Sequence, residues 1–175
     1  MYNVALLIEH QLTEVDADQV VALHEALDEP VRYHLVMPVE DAAGQLTTSL
    51  GALGGPELVP VVSPDSSEVE MIQESIDNTA QQELDASVAL LQQRRQQTTA
   101  QLTREDPVRA LASLIKKVDG SEAIVLTEPH VVSEFFHLDW TSRARRKLEV
   151  PCLHLLEHET LDEQSAGAGE GVDGM

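Results

Sequence analysis

Residues 4–10 read Val-Ala-Leu-Leu-Ile-Glu-His. Five consecutive apolar side chains leave no polar face, so the run suits a strand covered on both sides, as in a parallel sheet. It stops at Glu9-His10. Thr13 and Asp16 follow at capping-box spacing, with Asp where Glu or Gln is usual. Val20, Val21, Leu23, Ala26 and Leu27 then recur at roughly helical spacing, and Pro30 closes the segment. Residues 31–39, Val-Arg-Tyr-His-Leu-Val-Met-Pro-Val, read as a second strand. Strand, helix and strand together have the size of a βαβ unit.

The same alternation continues outward. Residues 40–64 hold Gly44, Gly51, Gly54, Gly55, Pro56, Pro60 and Pro64, which predicts a long variable loop over 41–64. Asp65, Ser66 and Ser67 offer helix caps. Val69, Ile72, Ile76, Ala80, Leu84, Val88 and Leu91 then make one apolar stripe on the longest helix. Residues 98–103 are weakly strand-like. Asp106-Pro107 opens a helix packed through Val108, Leu111, Ala112, Leu114 and Ile115, and Asp119-Gly120 stops it. Residues 123–126 are another buried strand, followed by Thr127-Glu128-Pro129-His130. A helix is expected over 131–148 and a last strand over 150–156, Val-Pro-Cys-Leu-His-Leu-Leu. Residues 159–175 are acidic, glycine-rich and poor in apolar side chains, which predicts a disordered tail after a single domain over 1–158.

Strands alternating with helices imply an α/β sandwich, a parallel sheet with helices on both faces. Ligands in such sheets bind beyond the carboxyl ends of the strands. That rim should carry Glu9, His10, Glu40, Thr127, Glu128, His130, Glu157 and His158.

Composition sets the outer bounds. The chain has 175 residues and a formal charge of −20. That charge argues against a nucleic-acid partner and against docking on an anionic membrane. The acid excess fits a solvated surface, salt adaptation or a basic partner. No apolar run approaches the length of a membrane span, and the start lacks a secretory signature. The one cysteine, Cys152, cannot form an internal disulfide, and its apolar strand predicts a buried, inert thiol. A soluble, cytoplasmic domain is the expectation.

Three segments resemble the universal stress protein family, a branch of the adenine-nucleotide α-hydrolase-like (HUP) fold. VALLIEH (4–10) is similar to the family's first strand, whose terminal acid falls on Glu9. LTREDPVRALASLIKKVDGSEAIVL (102–126) resembles the stretch in which Gly-Asp-Pro opens a helix leading into the fourth strand. LEVPCLHLLEH (148–158) resembles the last strand with its Val-Pro entry. The resemblance implies five parallel strands in the order 3-2-1-4-5, a stress-response or regulatory binding role, and a homodimer paired through the last strand, residues 150–156, with Val150, Leu153 and Leu155 on offer.

The family's ATP-binding branch carries G-x2-G-x9-G-[ST] after the fourth strand. Here Thr127, His130 and Trp140 stand at the three glycine places and Thr141 at the Ser/Thr place. Glycines in such a loop let backbone N–H groups approach phosphates closely. Trp140 would fill that space, Pro129 removes a donor, and Glu128 adds negative charge. A variant that does not bind ATP is therefore expected.

Two kinds of chemistry remain open at the rim. His10, Glu128 and His130, with Glu9 beside them, are suitable ligands for a divalent metal such as Zn²⁺ or Fe²⁺, which would support a metal- or nucleotide-dependent hydrolase. Alternatively Glu9, His10, Thr127, His130 and Thr141 contact a small ligand in place of the lost glycine loop. The plain alternative to both is that these side chains are solvated or cap the next helix. Arg143, Arg145, Arg146 and Lys147, and likewise Arg94 and Arg95, either oppose negative helix ends or form an anion patch. Phe135, Phe136 and Trp140 suit a core or dimer contact. No nucleophile elbow, phosphate loop or dinucleotide fingerprint is present, so a non-enzymatic binding role is favoured and no cofactor is expected. A structural module for an unknown protein partner is the third reading.

Overall fold

The structure, a computed structural model, describes residues 1–39, 66–127 and 148–158. The expected loop over 41–64, the tail over 159–175 and the helix over 131–147 lie outside the described residues. So do Glu128, His130, Trp140, Thr141, the two phenylalanines and the basic cluster of 143–147.

The order is β1 (Tyr2–Ile8), α1 (Glu14–Ala22), β2 (Val31–Pro38), α2 (Ser66–Gln93), β3 (Gln97–Thr103), α3 (Pro107–Val118), β4 (Glu122–Thr127) and β5 (Cys152–Leu156). The strands form one sheet in the order β3-β2-β1-β4-β5. Every pairing is parallel, and Leu6 in β1 stands opposite Leu35 of β2 and Ile124 of β4. The expected α/β class, strand order and neighbouring first and fourth strands are all present.

Period-2 alternation divides each strand between two cores. Val4, Leu6, Ile8, Leu35, Ile124 and Leu126 pack with Ala17 and Val20 of α1 and Leu84 and Leu91 of α2. Ala5, Leu7, Val36, Ala123 and Val125 face the other way, onto Leu111, Leu114 and Ile115 of α3. Because both faces are covered, β1 and β4 read as unbroken apolar runs. The edge strand β3 reads Gln-Thr-Thr-Ala-Gln-Leu-Thr, with exposed and half-buried side chains, which explains its faint signature.

The capping box forms as expected. Thr13 caps α1, its hydroxyl accepting from the Asp16 backbone N–H while the Asp16 carboxylate accepts from the Thr13 backbone N–H. Asp106 caps α3 with Pro107 at its first position. The stop is made by Asp119, which takes the left-handed conformation at φ 52. The next N–H, of Gly120, donates back to Ile115.

Three expectations are corrected. Helix α1 ends at Ala22, not near Leu27, and His24 turns into the interior. The apolar stripe of α2 is fully buried only at Leu84 and Leu91, in its C-terminal half, and Ile72 near its start stays exposed. Cys152 is half-buried at the start of β5, the outer strand of the described sheet. Of the two readings of Arg94, the helix-end one holds: it donates to the Leu90 carbonyl at 3.0 Å near the end of α2, and also to Glu14 Oε2 at 2.7 Å and Asp18 Oδ1 at 2.5 Å, tying α2 to α1. Among the described residues no helix is long and apolar enough to cross a membrane.

Candidate functional site at the strand ends

β1 and β5 end on the same dipeptide. Leu7-Ile8-Glu9-His10 leaves β1, and Leu155-Leu156-Glu157-His158 leaves β5. β4 lies between these strands, so the two Glu-His pairs emerge on one rim of the sheet, separated by the end of β4. Backbone pairing fixes the second pair: the Glu157 N–H donates to the Thr127 carbonyl at 2.9 Å. The Glu157 side chain then spans β4 and accepts from His10 Nδ1 at 3.2 Å. One ligand atom from each of Glu9, His10 and Glu157 lies within 4.8 Å of the others.

Helix α1 closes one wall. Asp16 is wholly buried, and its carboxylate accepts from the Thr13 backbone N–H at 2.8 Å, the Thr13 hydroxyl at 2.6 Å and the His158 backbone N–H at 2.8 Å. One side chain thus caps α1 and pins the exit of β5. The turn between β1 and α1 is held by Ser87 of α2, whose hydroxyl accepts from the Leu12 N–H at 2.9 Å and donates to the Glu83 carbonyl.

The electrostatics are unusual for a phosphate site. Glu157 is only 2% exposed, while His10 is 52% exposed. Burial pushes the Glu157 carboxyl above its ordinary value, and the nearby Asp16 charge adds to this. The hydrogen bond and charge of His10 oppose the rise without cancelling it. The rim therefore gathers two buried carboxyl groups, Asp16 and Glu157, with Glu9 alongside.

The sequence-derived site is partly assembled. Glu9 and His10 come together, as expected. Thr127 ends β4, but its hydroxyl pairs with His154 Nε2 at 2.9 Å. The metal set His10, Glu128 and His130, and the ligand set that includes His130 and Thr141, extend outside the described residues. Sequence reasoning put Glu157 on the rim but missed it as the partner of His10. The repeated Glu-His after two buried strands was the available signal.

A second groove, of about 300 Å³, lies at the ends of β2 and β3 between Val39, Gln81, Leu102 and Thr103. Arg104 on its wall is paired with Asp77, which leaves its charges neutralised.

No protein-family model matches this sequence, and no curated protein matches it by sequence. Solved structures do match it in three dimensions. A universal stress protein from Archaeoglobus fulgidus superposes with a TM-score of 0.53 at 10% identity, covering 88% of this chain and 93% of that one. A universal stress protein family member from Burkholderia pseudomallei gives 0.51 at 15% identity, covering 88% and 96%. The fold is that of the universal stress proteins. A third structure of the universal stress protein fold, an Arabidopsis thaliana family protein solved with AMP bound, gives 0.54 at 9% identity, covering 93% and 95%. Identities this low with coverage this complete mean that the fold's layout is shared while the site residues of each protein stand on their own.

Proposed function

We propose that this chain is a non-enzymatic binding protein of the universal stress protein type, with a regulatory or stress-response role, whose strand-end crevice does not accept ATP. The observation that carries the reading is the pair of buried carboxyl groups, Asp16 at 0% and Glu157 at 2% exposure, on the rim where this fold class binds ligands. A triphosphate brings several negative charges. Beside two buried carboxylates it meets like-charge repulsion in a low-dielectric setting, the reverse of a phosphate cradle. The replacement of the glycine places by Thr127, His130 and Trp140 points the same way. AMP bound to the plant protein makes adenine nucleotides the ligands to test.

Equilibrium dialysis of the full chain with ATP and Mg²⁺ is expected to show no saturable binding up to millimolar nucleotide. Saturation at one equivalent in the micromolar range would contradict the reading.

The same proposal includes a homodimer through β5. Leu153 is 40% exposed on the outer strand of the described sheet, and a large apolar side chain in that position suits contact with a second copy. Sedimentation equilibrium should return twice the chain mass for the native protein and a lighter species for Leu153→Glu. A native monomer at high micromolar concentration would remove this part. The cytoplasm remains the proposed location.

A further inference from the structure

We propose that Glu9, His10 and Glu157 form a binding site for a divalent first-row transition-metal cation of the Zn²⁺ or Mn²⁺ class. Two observations carry it independently. The first is the donor set: one imidazole and two carboxylates, with one ligand atom from each inside 4.8 Å. Borderline cations take mixed nitrogen and oxygen ligands of this kind. Metal–ligand distances of about 2.0–2.2 Å place ligand atoms roughly 3–4 Å apart, so small side-chain rotations close the set.

The second observation concerns Glu157 alone. Its side chain is only 2% exposed, yet its Oε1 has no hydrogen-bond partner among the described residues. A buried carboxylate oxygen without a donor is costly, and an ion is one of the few things that answers it. The carboxylate faces the cluster, since its other oxygen meets His10. A cation would satisfy the orphaned group and offset the negative charge shared with Asp16.

The scaffold suits a fixed site. Glu9 and His10 directly follow β1, and Glu157 is held by its backbone bond to Thr127. His10 lies half in solvent, which gives the ion an entry path and leaves coordination positions for water. The inference does not depend on the ATP reading, because none of the three residues belongs to the altered glycine motif.

The test is calorimetric titration of the full chain, stripped with EDTA and dialysed, against ZnCl₂ and MnCl₂ separately in buffer containing millimolar Mg²⁺. Magnesium saturates weak binding to the acidic surface. One Zn²⁺ per chain is expected, with Mn²⁺ weaker, in the order of ligand-field affinity. His10→Ala, a surface change, should lower Zn²⁺ affinity by about 100-fold or more, and Glu157→Gln should do the same. His158→Ala should leave it unchanged. Circular dichroism of each metal-free variant verifies folding. Absence of saturable Zn²⁺ binding overturns the proposal, as does binding that survives both His10→Ala and Glu157→Gln, or binding that His158→Ala removes.

Discussion

Replacing His24 with alanine is expected to cost about 3 kcal/mol of folding stability near pH 5.5 and clearly less near pH 8.5. His24 follows α1 and is 7% exposed. With both ring nitrogens protonated, Nε2–H donates to Glu122 Oε1 at 2.6 Å and Nδ1–H to the Val20 carbonyl at 2.9 Å. The Tyr33 hydroxyl lies 2.9 Å from Nδ1, and the Tyr2 hydroxyl donates to Glu122 Oε2 at 3.0 Å. This network sits at the amino ends of β1, β2 and β4, opposite the Glu-His rim. Alanine would leave a carboxylate with 22% exposure without its cation and a buried tyrosine hydroxyl without one neighbour. Breaking such a pair from one side is the expensive way to break it.

The pH dependence follows from the same contacts. Burial pulls the His24 pKa down, but the hydrogen bonds to Glu122 and Val20 and the Glu122 charge outweigh it, and the net shift is upward from 6.5. Burial raises the Glu122 pKa, but bonds from His24 and Tyr2 and the His24 charge bring it below 4.5. A raised histidine contributes stability fully below its unfolded pKa and loses it as pH rises through the folded one. A depressed carboxylate contributes above its unfolded pKa and loses it as pH falls through the folded one. The pair therefore contributes most between the two unfolded values, 4.5 and 6.5. His34 and His154 shift downward through burial and act oppositely, but they are present in both proteins and cancel in the difference. Urea titrations of native protein and variant at the two pH values read this out. A pH-independent difference would rule the charged pair out.

Leu6→Ala is the second large effect, expected at about 3–4 kcal/mol, which in a chain of this size lowers Tm by roughly 10 °C. Leu6 is fully buried in the middle of the central strand, between Leu35 and Ile124. It packs in the core shared with α1 and α2. Removing three carbons there forfeits their transfer energy and leaves a cavity that hydrogen-bonded neighbours on both sides cannot collapse into. The control is Ile72→Ala, at an exposed position near the start of α2, which should shift stability by less than about 0.5 kcal/mol. Thermal melts of the two variants separate the cases. Equal shifts would mean that the core is not centred on β1.

These expectations also show what the chain discloses along its length. β1 and β4 were legible because burial on both faces demands unbroken apolar runs. Thr13 with Asp16, and Asp106 with Pro107, were legible because caps are local chemistry. The strand order came through the resemblance of residues 4–10, 102–126 and 148–158, not through periodicity. The pairings of His10 with Glu157 and of His24 with Glu122 span 147 and 98 residues, and no local pattern encodes a partner at that distance. The half-exposure of Cys152 is likewise absent from the pattern, because an apolar run does not encode how deeply its strand is covered. Asp16 was read as a cap and proved also to anchor β5, because one carboxylate has room for several donors.

The central claim is that the Glu-His rim is arranged for a cation and against a polyphosphate. A crystal of the full chain soaked with both MnCl₂ and ATP tests it most directly. An anomalous manganese peak between Glu9, His10 and Glu157, with no triphosphate density at the ends of β1 and β4, is the predicted result. Ordered triphosphate density lying against that rim would contradict it.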